Sequence, residues 1–170
     1  MKQTWKNAVR PLLDLGTHLG VTLSDGSIAL VDYQDRAVVE GWNWSADITP
    51  YGTVYARRGG DEKVRLHAAI LGPWADHIDG NTLDCRRANL RLATVAQNAH
   101  NRRLGRANTS GFKGVSFRRD RGTWLACIRK DDKLTKIGTY RDPILAAVAY
   151  DEAAERLFGE FAHLNFGGLV

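Results

Sequence analysis

Residues 112–159 constrain the fold more tightly than any other stretch, because β-rich runs and turn residues alternate there and then give way to a capped helix. The runs GFKGVSFRR, TWLACIRK and KLTKIGTYR are separated only by Asp120-Arg121-Gly122 and Asp131-Asp132. Separators this short allow tight reversals and no crossover, so the three runs predict an antiparallel three-stranded sheet. Asp142 is an N-cap and Pro143 a first helical residue, and Gly159 is a stop. Between them Ile144, Ala147, Tyr150, Ala154, Leu157 and Phe158 form an apolar stripe, with Asp151, Glu152, Glu155 and Arg156 facing out. The helix is expected to cover one face of the sheet and leave a basic face open.

The chemistry is concentrated upstream, in the segment DHIDGNTLDCRRANLRLATVAQNAHN from Asp76 to Asn101. Asp76 and His77 are consecutive, so on a strand their side chains leave opposite faces unless the backbone bends. Asp79-Gly80-Asn81 supplies a turn. Thr94 with Gln97 reads as a capping box opening a helix that runs to about Leu104, where Gly105 ends it. On that helix Asn98, Asn101 and Arg102 fall three and four apart and share a face. Each residue alone is also ordinary turn or surface chemistry; it is their register that points to a metal site.

These residues resemble the HNH nucleases, in which a β-hairpin and one helix grip a single divalent cation. His77, Asn89 and Asn98 stand at the motif's spacing, the third position being Asn instead of His, and Asp76 stands where many phage homing enzymes of the family place a carboxylate ligand. The resemblance implies Asp76 and Asn98 as metal ligands, His77 as general base, and Asn89 as the residue that holds the imidazole. Oxygen ligands of this kind suit Mg2+ or Mn2+ better than zinc, one ion per active site. Hydrolysis is expected to leave a 5′-phosphate and a 3′-hydroxyl. Two departures stand out: Ala68 follows His67 where the family commonly has Arg, and Cys85 stands where Asn is usual. The first leaves open whether His67 is buried structure. His100 is expected at the surface or against a phosphate.

The C-terminal words FKGVSF, WLACIRK, KIGTY, AAVAYDEAA and GEFAHLNF resemble the plant ethylene-response-factor (APETALA-type) DNA-binding domain from about Ser110 to Phe166. That likeness implies a sheet that enters the major groove, with Lys113, Arg118, Trp124, Arg129 and Lys136 as candidate DNA contacts. Trp124 has a competing reading as core under the helix. Ser116 and Cys127 replace longer polar residues, so the plant target sequence does not carry over.

Charge supports a polyanion partner independently. Between Arg86 and Arg141 stand fifteen Lys or Arg against three Asp, a balance of +12 in a chain of net +5, which leaves −7 for the rest. Arg86, Arg87, Arg91, Arg102 and Arg103 join the candidate DNA contacts. No basic amphipathic helix or run of about 20 apolar residues suggests a membrane. The start lacks signal-peptide features, and Cys85 and Cys127 are too far apart for a zinc knuckle, so a reducing cytoplasm is expected, that of a bacterial or phage-infected cell.

The first third is less informative. Gly20 to Asp32 alternates around Asp25-Gly26, a hairpin signal. Val54 to Arg58 and Val64 to Leu71 read as strands, His67 among them. Trp42 and Trp44 are expected on one face of an extended segment, filling a small core. Leu12, Leu13 and Leu15 suggest a short helix or a packing segment.

The sequence therefore predicts an α+β protein: a β-rich region over 1–60, a ββα-metal nuclease module over 61–105, a linker over 106–111 and a DNA-reading domain over 112–170. Its expected function is metal-dependent cleavage of double-stranded DNA at a site read by the C-terminal domain, without a small-molecule cofactor. The chain would act as a nicking monomer or as a dimer assembled on DNA. The alternative is a catalytically silent, sequence-specific DNA-binding protein; a nuclease for structured RNA is disfavoured by the duplex-reading sheet.

Overall fold

A computed structural model describes residues 9–59, 63–101 and 108–167. Its contacts divide the chain into two compact units, Met1–Thr94 and Val95–Val170. Small antiparallel sheets and short helices make it an α+β protein.

The first unit holds β1 (Leu13–Asp14), β2 (Leu19–Thr22) and β3 (Ile28–Val31), a sheet in that order. The β2–β3 hairpin turns at Gly26, whose φ of 88° is why a residue without Cβ stands there. After α1 (Arg36–Val39) come β4 (Trp44–Ile48), β5 (Val54–Arg58) and β6 (Val64–Arg65), a second sheet. Next are α2 (Leu66–Leu71), β7 (Ala75–His77) and β8 (Leu90–Leu92), the last two forming a hairpin of their own. Leu19, Val31, Val39, Trp44, Leu66 and Cys85 meet in one core that draws on all three sheets.

Three expectations for this region are corrected. The run from Val64 is a strand only to Arg65 and then a helix, which places His67 on α2; its apolar residues are needed on a helix stripe that seats Leu66 in the core. Of the two alternatives for Leu12, Leu13 and Leu15, the helix gives way to a strand at Leu13, which pairs with Gly20 at the edge of the β2–β3 hairpin, while Leu12 packs against the core as expected. Only Trp44 fills the core: β4 begins at that residue, so the residues before it escape the strand's alternation. Trp42 stays 47% exposed, with the Arg58 guanidinium 4.4 Å from its ring centre.

The second unit opens with α3 (Val95–His100), followed by β9 (Val115–Arg118), β10 (Thr123–Lys130) and β11 (Lys133–Tyr140), and then α4 (Pro143–Phe158). The sheet order is β11-β10-β9, all antiparallel. Asp142 caps α4, its carboxylate accepting from the Ile144 N–H at 2.7 Å. Ala146, Ala147, Tyr150, Ala153 and Ala154 are the residues that α4 buries. Ile144 and Leu157, expected in the stripe, are 52% and 41% exposed; a helix lying close on a sheet seats its alanines underneath and leaves the larger flanking residues at the margin. Gly114 shows how close that approach is, since a Cβ there would stand 2.0 Å from the Tyr150 ring.

Candidate active site

The hairpin of β7 and β8 pairs Ala75 with Leu92, Asp76 with Arg91 and His77 with Leu90. All three residues of β7 are buried. The connection between the strands is held by its own side chains: Asp79 accepts from the Asn81 N–H at 2.7 Å, Asn81 from the Leu83 N–H at 3.3 Å, and Gly80 turns with φ 72°. Asn89 closes this loop. Its Oδ1 accepts from the Asp79 N–H at 3.1 Å and its Nδ2 donates to the Asp84 carbonyl at 2.9 Å. The amide expected at the imidazole thus bonds to the backbone of the loop that follows His77.

Asp76 faces Arg91 across the two strands. Arg91 Nη2 lies 3.3 Å and Nε 3.4 Å from Asp76 Oδ2, and each side chain is 9% exposed. A carboxylate buried this far needs a cation nearby, and Arg91 supplies one. His77 sits among rings. The His67 ring meets it edge-on with centroids 4.7 Å apart, and Tyr55 lies 6.3 Å away. Burial lowers the pKa of His77, while Asp76, Asp79 and Asp84 pull the other way. Burial, with smaller effects from His77 and Arg65, pushes His67 down to about 3, so it is a neutral imidazole at neutral pH. His67 is therefore buried structure beside the site.

Cys85 is the neighbour that sequence reasoning did not supply. Its Sγ lies 3.6 Å from His77 Nε2, and the residue is fully buried. The backbone explains the placement: the Leu30 N–H donates to the Leu83 carbonyl at 2.8 Å and the Cys85 N–H to the Leu30 carbonyl at 2.9 Å, pinning the loop to β3. No local signal announces a bridge between residues 30 and 84.

The basic residues of this loop have structural partners. Arg86 pairs with Asp84, Nε to Oδ1 at 2.8 Å. Arg87 Nη2 reaches Asp35 Oδ1 at 2.8 Å, and its N–H donates to Asp32 at 2.8 Å, tying the hairpin to residues 32–35. With Arg91 on Asp76, three arginines expected at DNA each pair with a buried carboxylate.

In the second unit Asn98 is exposed on α3, whereas Asn101, just beyond the helix, is buried. The two therefore do not share one open face. Arg102, Arg103 and the expected helix end at Leu104 lie outside the described residues, as do residues 106 and 107 of the expected linker. Lys113 is half-buried, its Nζ donating to the His100 carbonyl at 2.6 Å, and burial lowers its pKa to about 8. His100 stacks on Phe158 at 3.8 Å. Trp124, Ala126 and Ile128 alternate onto the α4 side of the sheet, and Trp124 packs on the core there. The opposite face carries Arg118 across from Thr123, Lys136 across from Cys127, and Arg129, all exposed. Of the five residues expected at the groove, these three lie on that open face.

Residues 73–100, spanning the hairpin and the helix after it, match the family model described as HNH endonuclease. Protein 3.8 of Escherichia phage T7 is 38% identical over 95 residues, which cover 55% of this chain and 77% of that protein. An uncharacterized HNH endonuclease of Acanthamoeba polyphaga mimivirus is 29% identical over 150 residues, 82% of this chain and 75% of the relative. An ethylene-responsive transcription factor of Arabidopsis thaliana is 48% identical over 61 residues, 35% of this chain and 25% of the factor. No solved structure gives a significant match. A buried Asp-His hairpin together with a module similar to plant transcription factors defines the class, a DNA endonuclease with an appended ethylene-response-factor-like domain. The chain belongs to the HNH endonuclease family.

Proposed function

We propose that the protein is a magnesium- or manganese-dependent HNH endonuclease of phage or homing character, cutting double-stranded DNA at a site read by its C-terminal sheet. The observation that carries this reading is the Asp76-His77 pair, buried at consecutive positions of a hairpin within the family match. The reading assigns residues 61–105 to the nuclease module and 112–170 to DNA recognition.

Asp76 and Asn98 would hold the cation. Their donors are a carboxylate and a carboxamide oxygen, a hard set that fits magnesium or manganese and leaves the remaining positions to water and phosphate. When bound, such an ion stabilises negative charge developing on a phosphodiester oxygen. His77 takes a proton from the attacking water, Asn89 fixes the loop after it, and Arg91 orients the Asp76 carboxylate across the hairpin. Arg118, Arg129 and Lys136 present one exposed basic face to duplex DNA. The exposed Arg118–Asp120 pair, 3.2 Å, is weak enough to yield to a phosphate.

One such centre per chain cuts one strand at a time, so a monomer nicks and a double-strand break needs two copies or two events. The phage relative supports action in the cytoplasm of an infected bacterial cell, and no helix among the described residues is long and apolar enough to cross a membrane. The test is incubation of supercoiled plasmid, and of a sequence library as second substrate, with wild type and His77→Ala, with magnesium or chelator at low salt. Metal-dependent product from wild type alone supports the reading. Equal cleavage by His77→Ala removes the base role, and full activity in chelator removes the metal.

A further inference from the structure

We infer that the outer face of the second sheet, built on Tyr55, Arg57 and Arg65, is a phosphate-binding surface that takes the DNA backbone beside the nuclease hairpin. It rests on the proposed function for the identity of the polyanion, and adds a contact surface outside both the hairpin and the C-terminal sheet.

Register fixes which side chains share this face. Trp44 and Ala56 are buried in the core, so the residues next to them in β4 and β5 point the other way. Ser45 pairs with Arg57 and Arg57 with Arg65, one row across the three strands, and Asp47 pairs with Tyr55 in the next row. Two guanidinium-bearing residues thus lie directly opposite each other, an arrangement that repels. Among the described residues one carboxylate answers both. Asp47 is 3.9 Å from Arg57 Nε and 3.4 Å from Arg65 Nη2, longer than the roughly 2.7–2.9 Å of a well-formed charge-assisted bond. The Arg57 and Arg65 side chains are 32% and 42% exposed. One carboxylate shared at that range leaves a positive charge in excess, within reach of an anion from solvent.

The face adjoins the hairpin. Arg65 Cζ lies 4.1 Å from the Tyr55 ring centre, and that ring stands 5.6 Å from the His67 ring and 6.3 Å from the His77 ring. The Thr82 hydroxyl donates to the Val54 carbonyl at 2.5 Å, which ties the loop between β7 and β8 to β5. Tyr55 therefore bridges the cations to the buried imidazoles, and its ring holds the Arg65 guanidinium in place. A DNA strand carries a phosphate about every 3.4 Å of helix axis, so a strand with one phosphate held at the hairpin brings others over this row. There the planar guanidinium forks match phosphate oxygens and exchange the loosely held Asp47 for them. Contacts of this kind position the strand and carry no base preference.

Binding of a duplex of arbitrary sequence to the metal-free, full-length protein, titrated across a salt series, isolates this contact from cleavage. Arg57→Gln and Arg65→Gln are each expected to lower the slope of log affinity against log salt by about 0.9, and the double variant by about twice that. Arg57→Lys and Arg65→Lys keep the charge and should keep the wild-type slope. Asp47→Asn moves the other way: it releases both guanidinium groups, tightens binding and steepens the slope, a gain that a purely structural ion pair does not produce. Thermal melts accompany each variant, and should the arginine variants fail to fold, Asp47→Asn decides. A wild-type slope in folded Arg57→Gln or Arg65→Gln overturns the inference, as does binding by Asp47→Asn no tighter than that of wild type. Plasmid left uncut by wild type, with the slopes shifted as expected, defeats the nuclease chemistry and leaves the surface standing. Metal-dependent cleavage with unshifted slopes defeats the surface alone.

Discussion

Arg91 and Asp76 form a cross-strand ion pair at 3.3 Å in which both side chains are nine-tenths buried. Removing the guanidinium takes from the buried carboxylate the cation that faces it across the hairpin. Arg91→Ala is therefore expected to destabilise the first unit by about 3–5 kcal/mol, read by urea unfolding of the metal-free protein. Unchanged stability with weakened DNA binding would make Arg91 a nucleic-acid contact instead.

His67 links folding to pH. In the unfolded chain its imidazole titrates near 6.5, whereas in the folded protein burial holds it down to about 3. Above pH 6.5 both states are neutral and the full stability is present. As pH falls toward 3 the unfolded chain binds a proton that the folded one refuses, and stability drops by about 1.4 kcal/mol per unit. Below about 3 the loss is complete. Unfolding curves at pH 7.5 and 5 should show a smaller difference for His67→Gln than for wild type; equal differences would count against a buried neutral His67.

Two residues expected to contact DNA should separate experimentally. Arg129 is exposed on the open sheet face, so Arg129→Ala should weaken DNA binding and reduce the slope of log affinity against log salt by about 0.9. Lys113 donates to the His100 carbonyl from a half-buried position. Lys113→Ala should lower the melting temperature and leave that slope unchanged. Binding titrations across a salt series, beside thermal melts, decide both, and a change of slope for Lys113→Ala would return it to the DNA surface.

Gly114 has φ 74°, and a Cβ there would lie 2.0 Å from Tyr150 and 2.7 Å from the Cys127 carbonyl oxygen. Neither the backbone carbonyl nor a ring wedged under α4 can yield cheaply. Gly114→Ala should cost at least about 2 kcal/mol and show as a lowered unfolding midpoint of the second unit, followed by Trp124 fluorescence. A variant as stable as wild type would mean that α4 can lift from the sheet.

The elements set by neighbours in sequence were readable without the structure. Turn pairs fixed the three C-terminal strands, Asp142-Pro143 and Gly159 fixed α4, and Asp25-Gly26 fixed the β2–β3 hairpin, because each signal acts on backbone dihedrals within a few residues. Spacing likewise brought Asp76, His77 and Asn89 to notice. Tertiary structure decided which residues surround them. Cys85 reaches His77 through a bridge between residues 30 and 84, and His67 comes from a helix that the sequence presented as a strand. Arg86, Arg87 and Arg91 stand in the sequence as a basic run, and only the fold shows that each pairs with a carboxylate, at Asp84, Asp35 and Asp76. Trp124 went to the core because strand parity, fixed only by packing under α4, placed it there. Local signals act through the bond torsions of a few residues, while partners, burial and pKa depend on segments tens of residues apart meeting in one core, which periodicity and turn chemistry do not encode.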